Sequence, residues 1–212
     1  MLGHDRQEVV LAGLLSGLAG YIDAVGFLNL GGYFVSFMSG NTTRAGAALA
    51  QGSFHDFGLA AGLIGSFVFG VVLGSLVSRY AKDRQRWAVI GCVSGVLFVA
   101  AMLHSIPAVA FLAPPAMAVA MGAENAVFER GGEVSIGLTY ITGTLVKLGQ
   151  HLSRLIAGEH NVGWVRYLLL WTGLAVGTVL GAVSYGKIGL ASLWIGACLA
   201  AVAALTVARL KI

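Results

Sequence analysis

Asp23 is the one charged residue between Glu8 and Arg44, set in an otherwise apolar run. It lies roughly fourteen residues into a segment that begins near position 9, or about 21 Å along a helix rising 1.5 Å per residue. A carboxylate deep in a membrane helix costs about 2.5–3.5 kcal/mol on insertion scales, so it must face the protein interior, paired, solvated or protonated. Two chemistries suit it: coupling to an ion, proton or polar substrate, or a structural hydrogen bond to nearby backbone. Its surroundings recur later in the chain. Gly20-Tyr21-Ile22-Asp23-Ala24-Val25 is echoed by Gly122-Ala123-Glu124-Asn125-Ala126-Val127, with Asn125 in the place of Asp23. Ser39-Gly40-Asn41-Thr42-Thr43-Arg44 is echoed by Thr142-Gly143-Thr144-Leu145-Val146-Lys147.

The spacing of these echoes is nearly constant. Asp23 and Asn125 are 102 positions apart, Gly40 and Gly143 are 103 apart, and Gly70/Gly74 set against Gly173/Gly177 gives 103 again. A duplicated unit with a polar residue in one apolar segment and a Gly/Ser/Thr stretch after it is a common plan of transport folds. The stretches Ser39, Gly40, Asn41, Thr42, Thr43 and Thr142, Gly143, Thr144 combine flexible backbone with short side chains that satisfy backbone groups freed where a helix breaks. With Asp23 and Asn125 they are candidates for binding a substrate or ion. Arg44 and Lys147 each follow their glycine by four residues; they either gate or contact an anionic solute, or snorkel to opposite interfaces. Glu124, beside Asn125, is expected to pair with Arg130 or Lys147.

The elements that must position these residues are membrane helices. Hydrophobic residues make up 58% of the chain and charged residues 10%, against roughly 45–50% and about 25% in soluble domains. The charges cluster, leaving uncharged runs long enough for the ~20 residues that cross a bilayer core. Six crossings are expected, near 9–30, 58–79, 87–104, 108–128, 164–185 and 188–208, in one membrane domain (1–212) with internal repeats 9–104 and 107–208. The first is retained as a span, because its apolar run is longer than a signal-peptide core and lacks a clear cleavage site. The stretches 34–51 and 134–157 are read as re-entrant or broken helices.

Charge asymmetry orients the chain. With six spans and a cytoplasmic N-terminus, eleven of the thirteen Lys and Arg residues fall inside, leaving Arg44 and Lys187 outside. Eight full spans would divide them almost evenly, so the positive-inside rule favours six spans with both termini cytoplasmic. Three spans per half is an odd number, so the repeats are inverted and equivalent residues approach from opposite faces. The fold expected is therefore all-α, with six transmembrane helices in two inverted three-helix repeats and the two sets of candidate residues meeting near the membrane centre.

Gly70-Val71-Val72-Leu73-Gly74 and Gly173-Leu174-Ala175-Val176-Gly177 are small-xxx-small patterns that pack helices within the monomer or, alternatively, form a homo-oligomer face. Gly31-Gly32 and Gly131-Gly132 read as turns. Cys92 and Cys198 stand alone in apolar runs, and the histidines show no ligand spacing, so no metal and no cofactor is implied. No catalytic or phosphate-binding signature is present, and an enzyme is not expected. The net charge of +4 matches cytoplasmic loops facing anionic membrane lipid rather than nucleic acid.

The run from Gly20 to Arg44, GYIDAVGFLNLGGYFVSFMSGNTTR, together with Thr139-Tyr140-Ile141-Thr142-Gly143-Thr144-Leu145, resembles the YoaK family. The resemblance covers nearly the whole chain and implies a polytopic bacterial inner-membrane protein from a group of unknown function, with no substrate attached to it. The function expected from the residues is a transporter or channel for a small polar solute or ion, with its site between the repeats. The alternative is a non-transporting membrane protein that assembles with a partner, senses, or sequesters a ligand.

Overall fold

The computed structural model of the chain describes residues 6–130, 133–134, 136–159 and 163–210. It contains α1 (Arg6–Asn29), α2 (Met38–Ala50), α3 (Phe54–Ala81), α4 (Gln85–His104), α5 (Ala113–Glu124), α6 (Ile141–Ile156), α7 (Trp164–Ile188) and α8 (Leu193–Leu210). Short 3-10 turns join several of them, and the only strands among the described residues are Glu129–Arg130 and Glu133–Val134, two residues each. Four helical stretches are long and apolar enough to cross a membrane: Gln7–Asn29, Phe54–His104, Pro107–Phe128 and Trp164–Arg209. The second folds back at Lys82, whose φ is 49°, and the fourth at Gly189, whose φ is 59°. Both therefore hold two antiparallel helices.

Large apolar side chains point away from the bundle. Phe69 on α3 and Val179 on α7 are each 62% exposed, and Val72, Leu76, Val176, Val183, Val202 and Leu205 are similarly open. The interior between helices is lined mostly by Ala, Gly, Val and Leu. Lipid is as apolar as leucine, so helices there associate through close packing rather than through the hydrophobic effect.

That packing is built on glycines that touch facing backbone. A Cβ on Gly70 would stand 2.1 Å from the Val119 carbonyl oxygen, and one on Gly74 would stand 2.5 Å from that of Ala123. On α7, a Cβ on Gly177 would stand 1.9 Å from the Gly17 oxygen, and one on Gly181 would stand 2.3 Å from that of Tyr21. The reciprocal contacts match: Gly20 faces Leu174 and Thr178, as Gly122 faces Phe67 and Val71. Partners on α1 and α5 are thus 102 positions apart throughout, and partners on α3 and α7 are 107 apart. The counterpart of Gly70/Gly74 is Gly177/Gly181, in place of the expected Gly173/Gly177. Four residues, one helical turn, separate the two alignments. Gly70-Val71-Val72-Leu73-Gly74 and Gly177-Thr178-Val179-Leu180-Gly181 are also the better match in sequence. The glycine pattern is used inside the monomer.

The same contacts give direction. α1 and α7 run parallel, as Gly13 faces Gly173, Gly17 faces Gly177 and Tyr21 faces Gly181; α3 and α5 are likewise parallel. α4 and α8 are antiparallel: Ser94 Oγ donates to the Ala197 carbonyl at 3.1 Å, while Phe98 and Trp194 rings lie 5.8 Å apart. The Arg86–Glu8 ion pair joins the start of α4 to the start of α1. Hence α1, α4 and α7 run one way and α3, α5 and α8 the other.

The break expected at Ser39–Thr43 and Thr142–Thr144 is corrected, while the re-entrant reading of 34–51 and 134–157 is not contradicted. Gly40 and Gly143 lie within the intact first turns of α2 and α6. Thr42 Oγ1 bonds the Met38 carbonyl at 2.9 Å and Thr43 Oγ1 bonds that of Ser39 at 3.2 Å, so the polar side chains satisfy themselves within the helix. The irregular backbone precedes each helix instead. The turn expected at Gly31-Gly32 is present, with φ of 63° and 108°; Gly131-Gly132 lies outside the described residues. At 13 and 16 residues, α2 and α6 are about 20 and 24 Å long, short of a full crossing.

Gly70→Ala and Gly177→Ala are expected to destabilise the purified protein by about 1–3 kcal/mol or more, since the added methyl meets backbone that cannot move aside. Gly91→Ala and Gly95→Ala, whose surroundings are open within 4 Å, are expected to be neutral or slightly stabilising. Thermal unfolding in detergent checks both pairs.

Candidate functional site

Asp23 is a clamp for the chain that follows it. After α1 ends at Asn29, the backbone doubles back, and Asp23 Oδ1 accepts the N–H groups of Val35 at 2.9 Å and Ser36 at 2.7 Å. Those donors precede α2 and have no helical partner, so a carboxylate acceptor satisfies two orphan groups at once. Asn41, fully buried, completes the arrangement. Its Oδ1 accepts the Phe34 N–H at 3.0 Å and its Nδ2 donates to the Phe34 carbonyl at 2.7 Å. The Phe34 ring packs between Phe27 and Phe37, at 5.0 and 5.2 Å. Gly40 is required beneath these rings, because a Cβ there would stand 2.6 Å from Phe37 and 2.8 Å from Phe34. The structural alternative for Asp23 is therefore realised.

A second clamp occupies the equivalent place in the other half. Thr139 Oγ1 donates to Asn125 Oδ1 at 3.2 Å, and Asn125 Nδ2 donates to the Met121 carbonyl at 3.0 Å. Thr144, at the position of Asn41, bonds its own helix at the Tyr140 carbonyl, 3.2 Å away. Where Asp23 takes two backbone donors, Asn125 takes a hydroxyl donor among the described residues. Glu124 departs from expectation: it is fully buried, and neither carboxyl oxygen has a hydrogen-bond partner among the described residues. Lys147 lies elsewhere, its Nζ 6.0 Å from the Tyr167 ring, and the Arg130 side chain is outside the described residues.

Among the described residues no hydrogen bond joins the two clamps. Gln85 Nε2 donates to the Glu129 carbonyl at 2.7 Å, and its neighbour Arg86 pairs with Glu8. Glu129, four residues past Asn125, therefore lies toward the end of the bundle where α1 starts. Asp23 lies fifteen residues beyond Glu8, about 22 Å further along α1. Both motifs sit near the C-terminal ends of oppositely directed helices, and those helices touch: a Cβ on Gly26 of α1 would stand 3.4 Å from Met117 Cε of α5. Ser39, Thr42, Thr43, Thr142 and Gly143 are exposed on α2 and α6. The Arg44 guanidinium lies 4.9 Å from the Tyr33 ring centroid, against Gly32. Each repeat cation therefore rests on an aromatic face.

Two cavities complete the picture. A cleft of about 690 Å³ opens at the α1-start end, between the Lys82–Trp87 turn, Val127–Glu129 and Val207–Ala208. A smaller one of about 110 Å³ lies between α6 and α7 and is lined by Gly143, Thr144 and Lys147 together with Tyr140, Arg166 and Tyr167. It gathers three of the residues singled out in the sequence. Arg166 and Tyr167 were not legible there, since nothing in a linear pattern links the start of α7 to the face of α6.

Asp23→Ala, which releases two backbone donors, is expected to cost about 2–4 kcal/mol and to open residues 34–36 to protease or thiol reagents. Asp23→Asn keeps an acceptor, as Asn125 does, and should lose about half as much or less; equal losses in the two variants would refute the clamp. Glu124→Met removes two unpartnered oxygens and is expected to raise stability by about 1–3 kcal/mol, read by thermal unfolding.

Residues 11–206 match a family described as proteins of unknown function, DUF1275. The chain is 37% identical over 197 residues to the UPF0700 transmembrane protein RA0705 of Rhizobium meliloti, covering 92% of this chain and 84% of that one. It is 29% identical over 151 residues to the UPF0700 transmembrane protein YoaK of Bacillus subtilis, covering 68% and 66%. No solved structure matches it. With apolar helices of membrane-crossing length and transmembrane relatives over most of its length, the chain belongs to the DUF1275 family of membrane proteins, in agreement with its resemblance to YoaK.

Proposed function

We propose that this protein is a transporter or channel for a small polar solute or ion, built from two inverted repeats. α1, α3 and α4 are the crossings of the first repeat, and Pro107–Phe128, α7 and α8 those of the second. The observation that carries this reading is the matched packing of the halves: α1 on α7 repeats α5 on α3 contact for contact, with the helix directions reversed between halves. Such an arrangement has two near-equivalent states, as alternating access requires. The clamps then act as gates rather than as the solute site. The Asp23 clamp with α2 closes one end and the Asn125 clamp with α6 closes the other, with Arg44 and Lys147 at the respective mouths. The solute passes between the repeats. The bias of Lys and Arg supports a bacterial inner-membrane location with both termini and the 82–87 turn in the cytoplasm.

Single cysteines at positions 52 and 158, in the turns that follow α2 and α6, should react with an impermeant thiol reagent from opposite faces of the membrane. Reaction of both from the same face would overturn the inversion. In proteoliposomes, at least one member of a panel of ions, amino acids and small organic acids should show saturable, gradient-dependent flux, and Asp23→Ala should convert it to an unsaturable leak. Folded protein that passes no member of the panel would favour the non-transporting alternative.

A further inference from the structure

We propose that the pocket between α6 and α7 binds a phosphate-type oxyanion, carried either by a membrane phospholipid headgroup or free in solution. Thr144, Lys147 and His151 recur at helical spacing on one face of α6. Opposite them, the first turn of α7 contributes Arg166 and Tyr167. Tyr167 is the hub: Lys147 Nζ is 6.0 Å from its ring, the Arg166 guanidinium carbon is 5.2 Å away, and the His151 ring is also 5.2 Å away. Two permanent cations thus converge on one aromatic side chain, and neither forms an ion pair with a carboxylate among the described residues.

Two nitrogens in this cluster are unspent. The Arg166 Nε–H donor and His151 Nδ1, a donor or acceptor according to tautomer, are both sealed from solvent and lack a hydrogen-bond partner among the described residues. A buried donor without an acceptor costs the full desolvation of that group, and like charges brought together cost more in low dielectric. An oxyanion relieves both. It offers several acceptors to the planar guanidinium fork and a counter-charge to Lys147.

Size and setting narrow the ligand. A cavity of about 110 Å³ is well below the roughly 300–1,000 Å³ of sites that enclose whole small molecules. It holds an anionic group and leaves the rest of its carrier outside. Leu170 lines the pocket beside Arg166 and Tyr167, and neighbouring Val165 and Leu169 on α7 are 39% and 44% exposed, an apolar setting that suits a lipid carrier. The site belongs to the second half alone: Arg166 aligns with Leu59 at the offset of α3 and α7, so the first half has no matching cation. This inference does not rest on transport, because binding is measured without flux.

The test is thermal unfolding of the full chain in neutral detergent, titrated with inorganic phosphate or with phosphatidylglycerol, and with phosphatidylcholine as the zwitterionic control. Phosphate or phosphatidylglycerol should raise the unfolding temperature, and phosphatidylcholine should do so far less. Arg166→Gln and Lys147→Gln should each weaken the apparent affinity about tenfold or more, with Arg166→Lys recovering part of it and Lys187→Gln, at the other end of the bundle, unchanged. Stabilisation by phosphate assigns a soluble oxyanion, and stabilisation by phosphatidylglycerol alone assigns a lipid. No stabilisation of the wild-type chain by either, or equal stabilisation of the Arg166→Gln and Lys147→Gln variants, overturns the proposal.

Discussion

Backbone-to-backbone contact at glycine holds this bundle together. In water, α1 and α7 would be driven together by burying apolar surface, but in lipid that drive is absent, and the helices must gain more from each other than from acyl chains. Gly173, Gly177 and Gly181 on one helix and Gly13, Gly17 and Gly20 on the other remove the side chains that would hold the axes apart. The α3–α5 contact uses Gly70, Gly74 and Gly122 in the same way. Leu14, Val68, Val176 and Val179 are left to face outward, so the sequence spends its small residues inside and its large ones on the lipid side.

Once those two contacts are fixed, the polar groups have few places to go. Each half ends its first helix at a reversal of the chain, where backbone N–H groups lack helical partners. Asp23 and Asn125 stand where they can take up those groups or the hydroxyl beside them. One uses a charge and the other an amide, which explains how the position tolerates divergence: the geometry asks for an acceptor, and Asp and Asn both supply one. Glu124 is the exception. A carboxyl with no partner in a helix interface is a cost that packing alone gives no reason to keep.

Much of the fold was readable from the chain. Uncharged runs marked the long helices, Gly31-Gly32 marked a turn, and the small-xxx-small patterns marked contacts within the monomer. Two expectations differed from the structure. Aligning Gly70 with Gly173 gave a constant offset, yet a helix inserted by one full turn keeps its face, so four extra residues leave the pattern of small residues intact while changing every partner. Gly40 and Gly143 suggested broken helices because glycine frees the backbone, but their Thr neighbours bond carbonyls four residues back and keep the turn closed.

The sequence by itself determined that this chain lives in a membrane and which residues are too polar to face lipid. These follow from composition and periodicity, which need no knowledge of neighbours. Only the tertiary structure decided that Asp23 is occupied by backbone while Glu124 has no hydrogen-bond partner among the described residues, and that Lys147 and Arg166 share the Tyr167 ring. Those outcomes depend on helix direction and on contacts between residues distant in the chain, and a residue's type fixes what it can bond to but not what will be placed beside it.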